Sequence, residues 1–418
     1  MSQPLPVGAF RFLSESEIED MEWSEIPDDN DIGYMIECDL NYPEHLHHPH
    51  NDLPLAPERI AVKEEYLSQY QVDLKSKMGM RGHSNVPKLI PNFNKKEKYI
   101  THYRNLKLYL RLGLELVHVH RVMEFKQRAW IKPYIDFNTR MRQEATSSSA
   151  KDFYKFMNNS MFGKTMQNLR LQQTIKLVQS EEKALTLFSR PNFASFKQIH
   201  EKLLSIKLTQ AHIKWNKPTF TGACVLDLSK VHMYSFHYDV MKRKYGDSLR
   251  LLFTDTDSLC YHIRTNDLYS DMKDFIQHLD TSNFPRDHPC FSLRNDRKLG
   301  YFKDECASLQ AREFVGLRAK MYSLLMPEGH SNKVTAKGIK TSYAKKKLKH
   351  EKFLACLNGE QIERAEFYTI RSINHSLSTK LVVKQSLNSY DDKRYILEDG
   401  VSSLCFGHKD IKSLYEQK

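Results

Sequence analysis

LRLLFTDTDSLCYHI, residues 249–263, sets two apolar, β-forming runs on either side of the polar centre Thr254-Asp255-Thr256-Asp257-Ser258. That pattern predicts a β-hairpin, with two buried strands and a turn that pushes carboxylates out at its tip. Carboxylates that cannot escape each other need a cation, and their hard oxygen donors suit Mg²⁺. An Asp-rich turn that only caps a hairpin gives similar letters, so the rest of the chain has to decide between the two.

Composition bears on the choice. The 418 residues are 40% hydrophobic, enough for a large core spread over two or three units. Net charge is +12 but uneven. Residues 1–60 hold 2 basic and 14 acidic side chains, which leaves 61 basic and 37 acidic in the remainder. A basic body of this size points to a polyanionic partner, nucleic acid first, with a merely solvated basic surface as the alternative. Seven cysteines without a CxxC spacing argue against a disulfide framework or a zinc ribbon and fit a reducing, intracellular compartment. No run approaches the roughly 18–20 apolar residues of a membrane span, and no signal peptide opens the chain. No membrane partner is expected, and no internal repeat is present.

Along the chain, the acidic stretch 14–31 reads as a surface helix or loop, and Tyr34 to Leu40 as a short strand carrying Asp39 near its end, before Tyr42-Pro43 turns the chain. His45, His47, His48 and His50 lack the i, i+4 spacing of a helical zinc pair and any Cys or Glu framework, so they read as a polar loop. Residues 85–145 carry helical patterning in which Lys95, Lys96, Lys98 and Lys107 alternate with rings such as Tyr99 and Tyr103. Cations beside stackable rings suit a nucleic-acid surface, although most of these rings read as core. Lys151–Thr165 reads as a helix with Lys151, Lys155, Asn159 and Phe162/Gly163 on one stripe, suited to a triphosphate and a stacked base. Gly163-Lys164-Thr165 imitates the end of a P-loop, but the required first glycine is Asn158 and the flank is helical. Gly222 to Leu228 reads as a strand entry, followed by a helix and a basic turn ending at Gly246. Residues 313–326 fit an amphipathic strand, and residues 333–352 form a dense cationic stretch.

These stretches together resemble the family B DNA polymerases. Phe253 to Ser258 is similar to the palm motif YxDTDS, with Phe253 in the Tyr position. Asp39 to Pro43 resembles DxxSLYP, shortened by two residues. Lys155, Asn159, Ser160, Phe162 and Gly163 match the fingers motif KxxxNSxYG, with Phe162 replacing Tyr, and Lys320-Met321-Tyr322 resembles the KxY element. The motifs stand in family order. The continuation from Leu46 to Glu58 and the stretch DDKRYILEDGVSSLCFGH are similar to polymerases of the protein-primed type, Polinton (Maverick) transposons above all. The resemblance runs over roughly residues 3–410.

The resemblance implies an α+β right-hand fold with an antiparallel palm sheet, helical fingers and a basic thumb. Its expected divisions are 1–60 (acidic leader and first palm strand), 61–145 (palm insertion or helical basic region), 146–221 (fingers), 222–330 (palm with the DTDS hairpin) and 331–418 (thumb). Because 38 residues precede Asp39, too few for an exonuclease domain, none is expected. The chain reads as the C-terminal polymerase portion of a longer gene product, a fragment or transposon-derived copy. The expected activity is deoxyribonucleotide addition to a primer 3′-hydroxyl, with Asp39, Asp257 and the supporting Asp255 holding two Mg²⁺. Lys155 would bind the triphosphate and Asn159 the nascent pair, with Ser160, Phe162 and Gly163 beside them and Tyr42 excluding a ribose 2′-hydroxyl. Arg140 or Arg142 would supply a second phosphate contact. Lys320 and Tyr322 would meet the primer-template minor groove, and Lys337 and Lys340 duplex phosphates. Expected partners are primer-template DNA, dNTPs and a terminal protein primer. A reverse transcriptase differs by its adjacent hairpin aspartates and by lacking the fingers motif. A non-catalytic, transposon-derived DNA-binding protein is the other alternative.

Overall fold

The computed structural model describes residues 1–80, 82, 85–360, 364–373 and 376–411. Leu5–Phe12 (β1), Ile32–Asn41 (β2), Lys96–His102 (β3) and Glu115–Arg128 (β4) form one antiparallel sheet in the order β1–β4–β2–β3. Strand periodicity sorts β2 in two: Tyr34, Ile36, Cys38 and Leu40 are buried on one face, while Met35, Glu37 and Asp39 face the other way. The buried row is the seed of the largest core, in which Leu106, Tyr109, Val122, Tyr234 and Tyr238 also take part. Each such aliphatic side chain contributes roughly 1.5–3 kcal/mol on leaving water.

Tyr103–Arg111 (α1) follows β3 directly. Lys132–Glu144 (α2) and Ser148–Thr165 (α3) pack against each other as a helical pair. Ser147 caps α3, its side chain accepting from Ala150 N at 3.1 Å. Thr174–Val178 (β5), Phe193–His200 (β6) and Leu203–Leu208 (β7) make a separate sheet in the order β5–β7–β6, with a small core of its own around Ile206. Thr219–Ser235 (α4) then crosses back to the first sheet. Its buried Asp227 accepts from His102 N at 2.8 Å and Thr101 Oγ1 at 3.3 Å, pinning the helix to β3. Gly222 allows the close approach of α4 to the end of α3: an added Cβ would lie 2.3 Å from Met166 Sδ and 2.7 Å from Thr165 Oγ1. α4 runs on into a π-helical stretch, Phe236–Lys242, that delivers the chain to the next hairpin.

That hairpin is Leu249–Thr254 (β8) and Leu259–Ile263 (β9), as the sequence predicts, although apart from the buried Leu249 its apolar residues are half-buried and not enclosed. Glu313–Arg318 (β10), Met321–Leu325 (β11) and Lys333–Ala336 (β12) form a three-stranded sheet in chain order. A long, exposed hairpin, Arg364–Ile373 (β13) with Ser376–Gln385 (β14), follows. The chain then returns to the first sheet, where Phe93 N donates to Phe406 O at 2.8 Å. Among the described residues no helix is long and apolar enough to cross a membrane.

Three expectations need correction. Gly222–Leu228 lies inside α4 and is not a strand entry; a short apolar run has no decisive period, and here helical neighbours on both sides settle it. The helical reading of 85–145 holds for α1 and α2, but β3 and the 14-residue β4 are strands. Within this region Lys96 is not a surface cation. It is fully buried and paired with Glu58 at 2.9 Å, whereas Tyr103 and Tyr109 are core, as expected for most of these rings. The histidine stretch is a helical turn, His47–His50, with His47 and His50 buried, and not a polar loop.

Candidate active site

Asp39 owes its position to irregular pairing on both sides of β2. Against β4, Glu37 pairs with Arg121 and Cys38 with Val119, which leaves His120 as a bulged extra residue. Against β3, Cys38 pairs with Tyr99 and Leu40 with Lys96, and the extra residue there includes Lys98 at φ +51°. Both bulges turn a donor onto the same atom. Lys98 N and His120 Nε2 each lie 2.8 Å from Asp39 Oδ1. The Lys98 amide and then the His120 ring hold the Asp39 carboxyl below its usual range, so it is ionised well into acid. Neither His120 nor Lys98 was singled out for this role from sequence. Residues 85–145 read as helical from sequence, so neither the strand that carries His120 nor its bulge was in view.

Asp255 and Asp257 stand at the hairpin tip. Asp255 N donates to Ser258 O at 3.1 Å and Asp257 N to Asp255 O at 2.7 Å, with Thr256 between them at φ +63°. At this tight turn Asp257 is exposed and Asp255 half-buried. The hairpin is tied to the β2 end of the molecule by Asp52, which accepts from Leu251 N at 3.0 Å and Arg250 Nε at 3.1 Å. His237 stacks on Tyr261 from the π-helical stretch, with ring centroids 5.7 Å apart.

The β10–β11 turn meets the hairpin directly. Lys320 Nζ lies 2.8 Å from Asp255 Oδ1, and Phe253 stacks on Tyr322 with centroids 4.2 Å apart. Lys320 sits at φ +61°, a left-handed position that aims its side chain across the turn. Lys337 N donates to Lys320 O at 3.0 Å, so the start of the cationic stretch is attached to the same turn. Lys340 is already engaged: its Nζ donates to Tyr368 O on β13 at 3.3 Å.

On α3, Lys155, Asn159 and Gly163 are exposed, while Ser160 and Phe162 are half-buried. Among the described residues the Lys155 and Asn159 side chains have no hydrogen-bond or ion-pair partner, and a Cβ on Gly163 would meet open space. Ser160 Oγ is spent on Met157 O at 2.8 Å. Arg140 and Arg142 are both exposed on the neighbouring α2. Arg140 lies over the Phe137 ring at 5.8 Å.

The structure therefore joins Asp255 to Lys320 and Phe253 to Tyr322. It does not gather Asp39, Asp255 and Asp257 into one set of ligand atoms within 4.8 Å. Tyr42 does not present its hydroxyl at an open face. It is 4% exposed, accepts from Leu55 N at 3.2 Å and lies 2.8 Å from His50 Nδ1. Burial pulls His50 down to about 4, so its ring is the neutral acceptor that a phenol needs. As a donor set for a hard divalent ion, the three aspartates fit in kind: Asp39 is held ionised, and Asp255 already binds a cationic group in Lys320.

The fold is similar to that of phi29 DNA polymerase. The complex of that enzyme with primer-template DNA and incoming nucleotide substrates superposes with a TM-score of 0.52 at 15% identity, over 92% of this chain and 55% of that one. The phi29 binary complex with primer-template DNA gives a TM-score of 0.48 at 15% identity and the same coverage. The chain thus spans about half the length of the phi29 enzyme. No curated protein matches it in sequence. Residues 1–235, which carry Asp39, Lys155 and Asn159, match the family described as DNA polymerase type B, organellar and viral, and the chain belongs to that family.

Proposed function

We propose that the chain is a template-directed DNA polymerase that adds deoxyribonucleotides to a primer 3′-hydroxyl, derived from a transposon of the Polinton type. The observation that carries this reading is the meeting of two separate sequence motifs. The aspartate hairpin and the Lys320-Met321-Tyr322 turn lie in different sheets, yet they join through an ion pair and a ring stack. That couples a carboxylate site to a cation suited to a nucleic-acid backbone.

In this reading the sheet and hairpin are the palm, residues 146–221 with α3 the fingers, and the region after residue 331 the thumb. Asp39, Asp255 and Asp257 would hold two Mg²⁺, which when bound supply activation of the 3′-hydroxyl and charge neutralisation at the pyrophosphate. The Lys98 amide and His120 fix the orientation of Asp39. Lys155 and Asn159, exposed and unengaged on α3, bind the triphosphate and the nascent pair. Lys320 moves from Asp255 to the primer-template minor groove when DNA arrives, and Lys337 adds a phosphate contact. Transfer of electrostatic partners costs little here because both groups are solvent-exposed.

Primer extension with the purified chain and Mg²⁺ tests this, with DNA and RNA templates side by side. Extension on DNA is the expected outcome. A preference for the RNA template would favour a reverse transcriptase. Retarded DNA in a gel-shift assay with no extension on either template would leave the non-catalytic DNA-binding reading.

A further inference from the structure

The histidine-rich turn after Asp39 has a partner at the other end of the chain. Residues 403–410 return to it by several bonds: Cys405 N donates to Asn51 Oδ1 at 3.0 Å, and Lys409 N donates to His47 Nδ1 at 3.0 Å across 362 residues of sequence. This docking brings His408 and Asp410 beside His48. His48 Nε2 is 3.6 Å from Asp410 Oδ2, and His408 Nδ1 is 3.8 Å from the same oxygen. Each of the three side chains offers one ligand atom within 4.8 Å of the others, and no other such trio of His, Cys, Asp or Glu occurs among the described residues. We propose that His48, His408 and Asp410 form a site for a divalent transition metal of the zinc class, which fastens the C-terminal end of the described chain to the turn following Asp39.

The distances suit that ion. Ligands about 2.0–2.2 Å from a tetrahedral zinc lie about 3.3–3.5 Å from one another, close to the His48–Asp410 separation of 3.6 Å, and all three ligand atoms already lie within 4.8 Å of one another. Two imidazoles and a carboxylate are borderline donors that favour zinc over magnesium. His408 is the buried anchor. Its side chain is fully enclosed; its Nδ1 accepts from Asp410 N at 3.2 Å, while its Nε2, the nitrogen left to ligate, has no hydrogen-bond partner, nor does the buried Nε2 of neighbouring His47. Buried polar atoms are normally partnered, so unpartnered nitrogens beside this group are unusual. His48 and Asp410 are 61% and 44% exposed, which leaves an entry path and an open fourth position for water.

An isolated His48–Asp410 ion pair on the surface would account for part of the geometry, and metal analysis separates the two. The whole chain is stripped with a chelator, given Zn²⁺ or Co²⁺, desalted and analysed for metal, with thermal unfolding recorded alongside. Wild type should retain one equivalent that raises Tm, and Co²⁺ should give the visible absorption of a low-symmetry four-coordinate site. His48→Ala and Asp410→Asn change exposed side chains and should fold, which circular dichroism checks. Each should weaken retention by at least about tenfold, the size of effect seen even for groups behind the ligands. Asp257→Asn should retain the metal, which distinguishes this site from the aspartate hairpin. Equal retention in His48→Ala and Asp410→Asn, or its loss in Asp257→Asn, would overturn the assignment.

Discussion

Asp39 and Asp255 belong to one proposed metal site, yet two kinds of structure hold them. Asp39 lies inside a four-stranded sheet, where bulges on both neighbouring strands fix two donors on one oxygen. Asp255 stands at the tip of a two-stranded hairpin and is matched by a flexible lysine from a different sheet. The first arrangement cannot change without breaking strand pairing. The second can be exchanged, because an exposed ion pair contributes only about 0–1 kcal/mol. One half of the site is thus built in advance, and the other half is held by a contact that DNA or a metal can replace.

The largest expected effect sharpens that contrast at its centre. Asp39→Ala and Asp257→Ala should each lower primer extension by more than about a hundredfold, the scale on which a single electrostatic group in an active site matters. Gel-shift affinity should barely change, since it rests on the basic body. Full extension by Asp257→Ala would end the assignment. His120→Ala tests the preformed half: it should reduce extension and raise the apparent pKa of Asp39. The sign follows from linkage. Because the folded state holds the Asp39 carboxyl below its unfolded value, its contribution to stability is complete above the ordinary carboxylate pKa of about 4 and is lost as pH falls through the depressed value. His120→Ala should therefore narrow the loss of stability in acid, read from Tm against pH.

Tyr42 gives a smaller effect and asks whether the residue after β2 serves the core or the substrate. Tyr42→Phe removes a buried hydroxyl and leaves Leu55 N and His50 without their partner. The expected cost is about 1–3 kcal/mol in denaturant unfolding. If the ring also excludes ribose, Tyr42→Val should raise the kcat/KM ratio of ribonucleotide to deoxyribonucleotide. An unchanged ratio together with lowered stability would assign Tyr42 to the core alone.

What the sequence discloses follows from how local each feature is. The hairpin is written in consecutive residues, so Asp255 and Asp257 land at its tip as read; on α3 Lys155 and Asn159 are exposed, but Lys151 and Phe162 of the same stripe are half-buried and Phe153 and Phe156 are exposed, so periodicity alone did not pick out the open face. Asp39 was placed near the end of its strand by alternation alone. Features set by pairing were not visible. His120 reaches Asp39 only because the register slips, and a one-residue slip leaves no mark in composition. Lys96 resembles a surface cation until Glu58 and Asn92 are folded over it. Tyr42 fits a sugar-facing position by motif, yet its hydroxyl is claimed by residues on the following turn. The histidine cluster lacked a metal framework within residues 45–50 because its proposed completing ligands, His408 and Asp410, lie at the far end of the chain.

Lys320→Gln should have the smallest effect on the fold and addresses the exchangeable half alone. Glutamine retains the Cβ, so whatever strain attaches to φ +61° is unchanged, and only the charge is removed. With both partners of the Asp255 pair about half exposed, Tm should move by an amount equivalent to no more than about 0.5 kcal/mol. The consequence should appear in DNA binding. If Lys320 passes from Asp255 into the minor groove, where its charge lies between the two phosphate backbones, its loss leaves one fewer counterion released, and the slope of log affinity against log salt should fall by up to about 0.9. Asp255 would meanwhile lose the cation that competes for its carboxylate, so extension should reach its half-maximal rate at a lower Mg²⁺ concentration than wild type. A loss of stability as large as that of Tyr42→Phe would make the pair a structural bridge comparable to the fixed donors of Asp39, and the contrast between the two aspartates would fail. An unchanged salt slope with unchanged Mg²⁺ dependence would show that Lys320 remains on Asp255 throughout and that some other cation meets the duplex.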